Sequence, residues 1–201
     1  GFGVVAATSF YPGKNLGAYG DGGAVLVPDE ATGERVRELR NHGTGSTSET
    51  YRVGWNSRLD ELQAVVLRAK LRRLESWNQA RRGAAARYDQ LLADLVDSHE
   101  LRLPVTAPGN EHAWHLYTVR VANRDNVLAR LHDDGIGASV HYHRAIHQHP
   151  RFAHLSPGPF PEADRAAAQL LSLPMGPHLG GPDQVRVAEA LRRALEAPGR
   201  R

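Results

Sequence analysis

Lys14 lies in the stretch Ser9 to Gly23, Ser-Phe-Tyr-Pro-Gly-Lys-Asn-Leu-Gly-Ala-Tyr-Gly-Asp-Gly-Gly, and is one of only two lysines among 25 basic residues. Where any cation would serve, this chain uses arginine, so a lysine here points to a need for its amine. Arginine stays protonated. A lysine amine, ordinarily protonated with a pKa of about 10.4, attacks carbonyls and forms Schiff bases once it is desolvated or set near other cations. The glycines around Lys14 let the backbone approach a ligand closely, and the Ser9 and Asn15 side chains offer hydrogen bonds to a phosphate or a ring substituent. A phosphorylated aldehyde cofactor suits that set. A glycine-rich link between the apolar runs Val4 to Ala7 and Ala24 to Val27 is also an ordinary strand connection. A nucleotide P-loop fits worse, because Thr8 stands where its first glycine belongs and Asn15 where its hydroxyl belongs.

Two other places carry candidate chemistry. Asn56 precedes the longest helical pattern, where backbone amides favour an anion; an asparagine there also serves as a plain cap. The tract His141-Tyr142-His143-Arg144-Ala145-Ile146-His147-Gln148-His149 invites a metal reading, since imidazole is a common zinc ligand. The zincin pattern needs glutamate at 144, where Arg144 stands, and the tract holds no acid to complete a ligand set, so no metal is expected.

The elements that must position these residues follow from periodicity and punctuation. Val4 to Phe10 and Gly23 to Val27 read as strands flanking the Lys14 loop. Asp29 is a candidate cap for a helix to about Asn41, stopped by His42-Gly43. Residues 43 to 54 are polar and glycine-rich, which fits either a mobile loop over a site or a surface linker. From about Ser57 to Leu95 runs a helical pattern with Leu59, Leu62, Val66, Leu67, Leu71 and Leu74 on one face and a bend near Trp77 to Gly83, Ser57 and Asp60 resembling a capping box. Beyond prolines 104 and 108, Trp114 to Val121 and Ala138 to Tyr142 read as strands, and Arg124 to Asp134, Pro161 to Leu170 and Pro182 to Leu195 as helices, an α/β arrangement. Residues 197 to 201 read as frayed.

Composition narrows the classes. A formal charge of +3 with acids interspersed among the arginines describes solvated faces, so no nucleic-acid partner is expected. Zero cysteines exclude disulfides and thiolate metal sites and fit a cytoplasmic setting. No apolar run approaches the roughly 20 residues of a membrane helix, so no membrane association is expected. The opening residues lack the basic leader of a signal peptide.

The wording from Ser9 to Ala24 closely resembles the cofactor-lysine segment of the DegT/DnrJ/StrS sugar aminotransferases, which use pyridoxal 5'-phosphate. Val-Gly-Trp-Asn-Ser-Arg-Leu-Asp-Glu-Leu-Gln-Ala (53 to 64), Gly-Ile-Gly-Ala-Ser-Val-His-Tyr (135 to 142) and Leu-Ser-Leu-Pro-Met (171 to 175) agree with that family in order and spacing. The resemblance implies a type I, aspartate aminotransferase-like α/β fold, represented in part: residues 1–57 as the end of the large cofactor-binding domain, 58–95 as a long connecting helix, and 96–201 as a small C-terminal α/β domain. The chain begins mid-pattern without methionine, and family members carry a long portion before the lysine, so the expectation is a C-terminal half; the carboxylate paired with the pyridine nitrogen would lie outside it. By the same resemblance Lys14 binds the cofactor aldehyde and shuttles the substrate proton, Ser9 and Asn56 contact the cofactor phosphate, Asn56 from a neighbouring subunit of a homodimer, and Tyr11, His141, Tyr142 and His147 lie near the substrate. His143 replaces the family's usual proline. The implied reaction transfers an amino group from glutamate to a nucleotide-linked keto-sugar, with the wording nearer the C3 than the C4 subgroup, in deoxyaminosugar biosynthesis. The alternatives are a silent fragment or subunit that needs a separate N-terminal half, and an aminotransferase for a non-sugar ketone. Lys14 argues against the related dehydratase, which carries histidine in its place.

Overall fold

The computed structural model describes residues 3–45, 49–50, 52–98, 101–155 and 158–196. They form two compact units, one up to Ser76 and one from Trp77 onward. The frayed terminus expected at 197 to 201 and the centre of the 43 to 54 loop, residues 46 to 48, lie outside the described residues.

In the first unit, β1 (Ala6–Ser9) pairs antiparallel with β2 (Gly23–Leu26), Ser9 opposite Gly23. Phe10 N–H donates to the Gly22 carbonyl at 2.8 Å and extends the ladder towards the loop. Helix α1 (Glu30–Arg40) starts where the sequence predicts: extended Asp29 accepts the Thr32 N–H at 2.8 Å, Glu30 sits in the first turn, and Arg37 and Arg40 sit in the last, the charge order a helix dipole favours. Left-handed His42 and Gly43 end it. At Gly43 the φ of 76° and an Arg52 carbonyl oxygen 1.8 Å from any Cβ leave room for glycine alone. Past that turn the chain runs back along the end of α1, with Trp55 N–H donating to the Leu39 carbonyl at 2.7 Å and Ser57 N–H to the Arg40 carbonyl at 2.9 Å.

Those bonds overturn the predicted helix start. The Ser57 N–H that a capping box would pair with Asp60 goes instead to the Arg40 carbonyl, and α2 (Glu61–Leu71) begins after Asp60, which caps with no side-chain bond. The expected continuous helix is also divided. Breaks at 72–73 and at Leu92 separate α2 from α3 (Leu74–Leu91) and α3 from α4 (Ala93–Ser98), and the division between the two units falls inside α3. Trp55 is 64% exposed on the extended segment before α2.

In the second unit, β3 (Tyr117–Arg120) pairs antiparallel with β4 (Leu170–Leu173), Thr118 opposite Ser172, and single bridges at Arg102–Arg120 and Ser139–Ser172 flank this ribbon on its two sides. Helices α5 (Arg124–Asp133), α6 (Pro161–Gln169) and α7 (Gly181–Glu196) match the predicted spans closely. The strand expected over 138 to 142 reduces to the one bridge at Ser139, because the turn from Ala138 N–H to the Ile136 carbonyl precedes it and the chain leaves the sheet at His141. Two 3-10 turns, Ile146–Gln148 and Ala153–Leu155, follow.

The core belongs almost wholly to this second unit, around Tyr88, Leu92, Tyr117, Val119, Leu171 and Leu191. Up to Ser76, the buried apolar side chains among the described residues are Ala18 and Leu67. No described helix is long and apolar enough to cross a membrane.

Two phenols packed against each other give the second unit a pH signature. Tyr88 and Tyr117 have ring centroids 4.9 Å apart; Tyr117 OH donates to Asp89 and Tyr88 OH to the Pro174 carbonyl. Burial first, then the Asp89 bond and charge, pushes the Tyr117 phenol far above its ordinary value of 10.0. Burial, then the Asp183 charge, does the same for Tyr88. The folded values are raised, so this stabilisation is complete below pH 10 and drains away as pH rises beyond it, because the unfolded chain releases phenolic protons that the folded chain keeps. Urea unfolding is expected to show a midpoint falling above about pH 10, with a shallower fall in Tyr117→Phe; the same slope in both proteins would contradict the assignment.

Candidate active site

Lys14 stands on the loop between β1 and β2. Tyr11 to Lys14 form a turn closed by Lys14 N–H on the Tyr11 carbonyl at 2.8 Å, Ser9 Oγ accepts the Tyr11 N–H at 3.1 Å, and Ala18 N–H returns to the Phe10 carbonyl at 2.8 Å. Gly17 is buried where the loop doubles back. A Cβ there would lie 2.3 Å from the Pro12 carbonyl oxygen, closer than any side chain tolerates.

Helix α2 clamps this loop from one face. Gln63 Oε1 accepts the Tyr19 N–H at 2.7 Å, and seven residues on, Lys70 Nζ donates to the Gly17 carbonyl at 2.6 Å while lying 4.4 Å from the Tyr19 ring centroid. The two lysines therefore have different jobs. Lys70 is half-buried and engaged, whereas the Lys14 side chain is exposed and its amine has no hydrogen-bond or ion-pair partner among the described residues. An unengaged primary amine on a tightly determined backbone is the group that condensation with an aldehyde requires.

Asn56 lies elsewhere than the helix mouth assigned to it from sequence. It sits five residues before α2 on the extended segment, bridged to Asn41, with its Oδ1 accepting from Arg58 Nε at 3.1 Å. Arg58 also reaches Asn41 Oδ1 at 3.3 Å. Because Oδ1 is taken, the amide hydrogens of Asn56 are the part left to donate to an anion. Asn56, Arg58 and Arg40 line an open groove of about 910 Å³ between the strand pair and α1, whose lining includes neither Lys14 nor Ser9.

The remaining candidates fall in the second unit. His141 Nδ1 lies 3.0 Å from Ser172 Oγ, with the Tyr142 ring edge-on at 5.6 Å. His147 Nε2 lies 2.7 Å from Asp164 Oδ1, which also accepts from Gln148 Nε2 at 2.6 Å, so α6 holds the first 3-10 turn in place. Tyr11 and Tyr142 are exposed. Among the described residues, no three His, Cys, Asp or Glu side chains gather to hold a metal ion. Sequence reasoning missed Gln63, Lys70, Asp164 and Ser172. Each acts on a partner 16 to 53 positions away, and no local spacing marks such pairs.

Buried Arg81 explains the shape of the segment before β3. One terminal nitrogen donates to the carbonyls of Trp114 and His115, both at 3.1 Å, across a left-handed Trp114. Burial pulls its guanidinium below the ordinary value.

This chain belongs to the DegT/DnrJ/EryC1/StrS aminotransferase family, whose pattern matches residues 1–192. It is 47% identical over 194 residues to the dTDP-3-amino-3,4,6-trideoxy-alpha-D-glucose transaminase of Streptomyces venezuelae, an alignment covering 96% of this chain and 50% of that protein. The crystal structure of S. venezuelae DesV in complex with a ketimine intermediate superposes with a TM-score of 0.89 at 47% identity, covering 98% of this chain and 53% of that one. NtdA from Bacillus subtilis, solved with bound cofactor PMP, superposes with a TM-score of 0.86 at 26% identity over 98% of this chain and 47% of that one. The fold is thus the α/β fold of the pyridoxal-phosphate-dependent sugar aminotransferases, and the chain spans about half the length of the curated relatives it matches.

Proposed function

We propose that this chain supplies the lysine-bearing portion of a pyridoxal 5'-phosphate aminotransferase that moves an amino group from glutamate to a nucleotide-linked 3-keto-deoxyhexose, in deoxyaminosugar biosynthesis. The observation that carries the reading is Lys14, whose amine is unengaged while Lys70 is bound into the loop, in a chain 47% identical to a transaminase named for a 3-amino sugar.

The residues present fit the cofactor at two of its ends. Lys14 Nζ would meet the aldehyde. Ser9 Oγ, already accepting from Tyr11 N–H, keeps its own proton for a phosphate oxygen, and Asn56 offers amide hydrogens beside the Arg58 charge. When bound, the cofactor supplies an electron sink for the carbon that loses its proton. Lys14 would carry that proton as a general base and then a general acid. His141, Tyr142, His147 and Tyr11 would contact the sugar. The active protein would be a homodimer with shared sites, Asn56 serving the neighbouring subunit's phosphate.

A second reading keeps the same residues but makes the chain a subunit that is silent by itself. What favours it is the first unit, which buries only Ala18 and Leu67 among its described apolar side chains. Incubation with pyridoxal phosphate, glutamate and dTDP-linked 3-keto-6-deoxyhexose, followed by mass spectrometry of the sugar, separates the two. An amino-sugar product from the chain alone supports the enzyme. A product only when a polypeptide matching the other half of a relative is added supports the subunit, and none under either condition contradicts both.

A further inference from the structure

Ser172 sits at the middle of β4, opposite Thr118 on β3, and its own N–H and carbonyl are both bonded to Ser139, at 2.8 and 3.0 Å. It is 2% exposed, and the strand neighbours Leu171 and Leu173 are buried apolar residues. A hydroxyl buried there costs stability unless it is hydrogen-bonded. Its partners are Thr118 Oγ1 at 3.2 Å and His141 Nδ1 at 3.0 Å. Alanine would serve the backbone ladder equally well, so the consequence of the hydroxyl falls on His141 and Thr118.

We propose that Ser172 is the positioning residue for His141: its hydroxyl donates to Nδ1, Thr118 donates to Ser172 in turn, and the ring is held as the Nε2–H tautomer with that N–H offered outward. The direction follows from the acceptors available. A serine hydroxyl has one proton, the imidazole nitrogen is the stronger of its two acceptors, and it is also the nearer. The Ser172 N–H and carbonyl are both bonded to Ser139 and the residue lies in the β3–β4 ladder opposite Thr118, so the ring is aimed by a sheet rather than by the loop that carries it. Nε2 has no partner among the described residues, and the Tyr142 ring stands edge-on to the His141 ring at an interplanar angle of 75°. The edge left over is a single N–H donor, suited to a sugar hydroxyl or keto oxygen. That last step rests on the reading of His141 as a substrate contact; the aiming of the ring does not.

Nitrogen-15 NMR of the histidine side chains tests the aiming directly in the 201-residue protein, with His141 assigned from His141→Gln. In the wild type, His141 is expected to show a hydrogen-bonded pyridine-type Nδ1 and a protonated Nε2. Ser172→Ala is expected to give a mixture of tautomers, while Thr118→Val, which keeps the Ser172 hydroxyl, retains the wild-type signature. Val119 and Leu171 methyl shifts report whether each variant keeps the sheet. Unchanged His141 nitrogen shifts in Ser172→Ala, or a wild-type ring protonated at Nδ1 alone, would overturn the proposal. Adding dTDP-linked 3-keto-6-deoxyhexose probes the other reading: no change at Nε2 would count against His141 as a substrate contact and leave the aiming intact.

Discussion

Lys14→Arg is expected to abolish covalent capture of pyridoxal phosphate and any transamination that depends on it, although the charge is kept. A guanidinium remains protonated at any pH the protein survives and cannot add to an aldehyde. Loss of the proton carrier alone is worth about 10²–10⁴ in rate. Lys70→Met is the matching control. Its amine is bonded to the Gly17 carbonyl at 2.6 Å, so the substitution should loosen the loop and leave adduct formation at Lys14 intact, though weaker. Absorbance of the protein with pyridoxal phosphate measures both variants. A band that survives in Lys14→Arg and disappears in Lys70→Met would reverse the assignment.

The second large effect concerns the backbone that presents the amine. Gly17→Ala adds one carbon, which would lie 2.3 Å from the Pro12 carbonyl oxygen and 2.8 Å from its carbon, both main-chain atoms that no rotamer change can move aside. Relief requires the turn at Tyr11 to Lys14 to open or the 16 to 18 segment to shift. Either displaces the Lys70 and Phe10 bonds that close the loop. Overpacking of this kind costs about 1–3 kcal/mol, which, falling on the loop that binds, would cut pyridoxal-phosphate affinity about five- to 150-fold. Equilibrium titration followed by absorbance measures it, and Gly13→Ala is the internal comparison. A Cβ at Gly13 meets only the Tyr11 ring at 3.8 Å, an ordinary contact, so its affinity should stay near wild type. Equal affinities for the two variants would show that loop closure does not govern the amine.

The local part of this architecture was legible in the sequence, and the non-local part was not. Asp29, Glu30 and the His42-Gly43 stop mark α1 because capping and left-handed residues act within a turn of each other. Pro161 likewise announces α6. The strand Leu170 to Leu173 is missed, the predicted helix running to Leu170 and residues 171 to 173 being assigned to no element, since four consecutive residues with no turn residue between them and α6 carry no period of their own. Ser57 and Asp60 imitate a capping box, but the hydrogen bonds from 55 to 57 go to α1, a competition visible only once the chain has folded back. At the site, the contrast between two lysines and 23 arginines singles out two residues, and the bond from Lys70 to Gly17 separates them. The Ser172–His141 pair spans 31 positions and has no sequence signal.

The central claim is that Lys14, and not Lys70, is the amine that meets the cofactor. Incubating the 201-residue protein with pyridoxal phosphate, reducing with borohydride and sequencing the labelled peptide by mass spectrometry tests it. A pyridoxyl group on the peptide containing Tyr11 to Leu16, at Lys14, is the expected result; label on Lys70, or on neither lysine, would contradict the account.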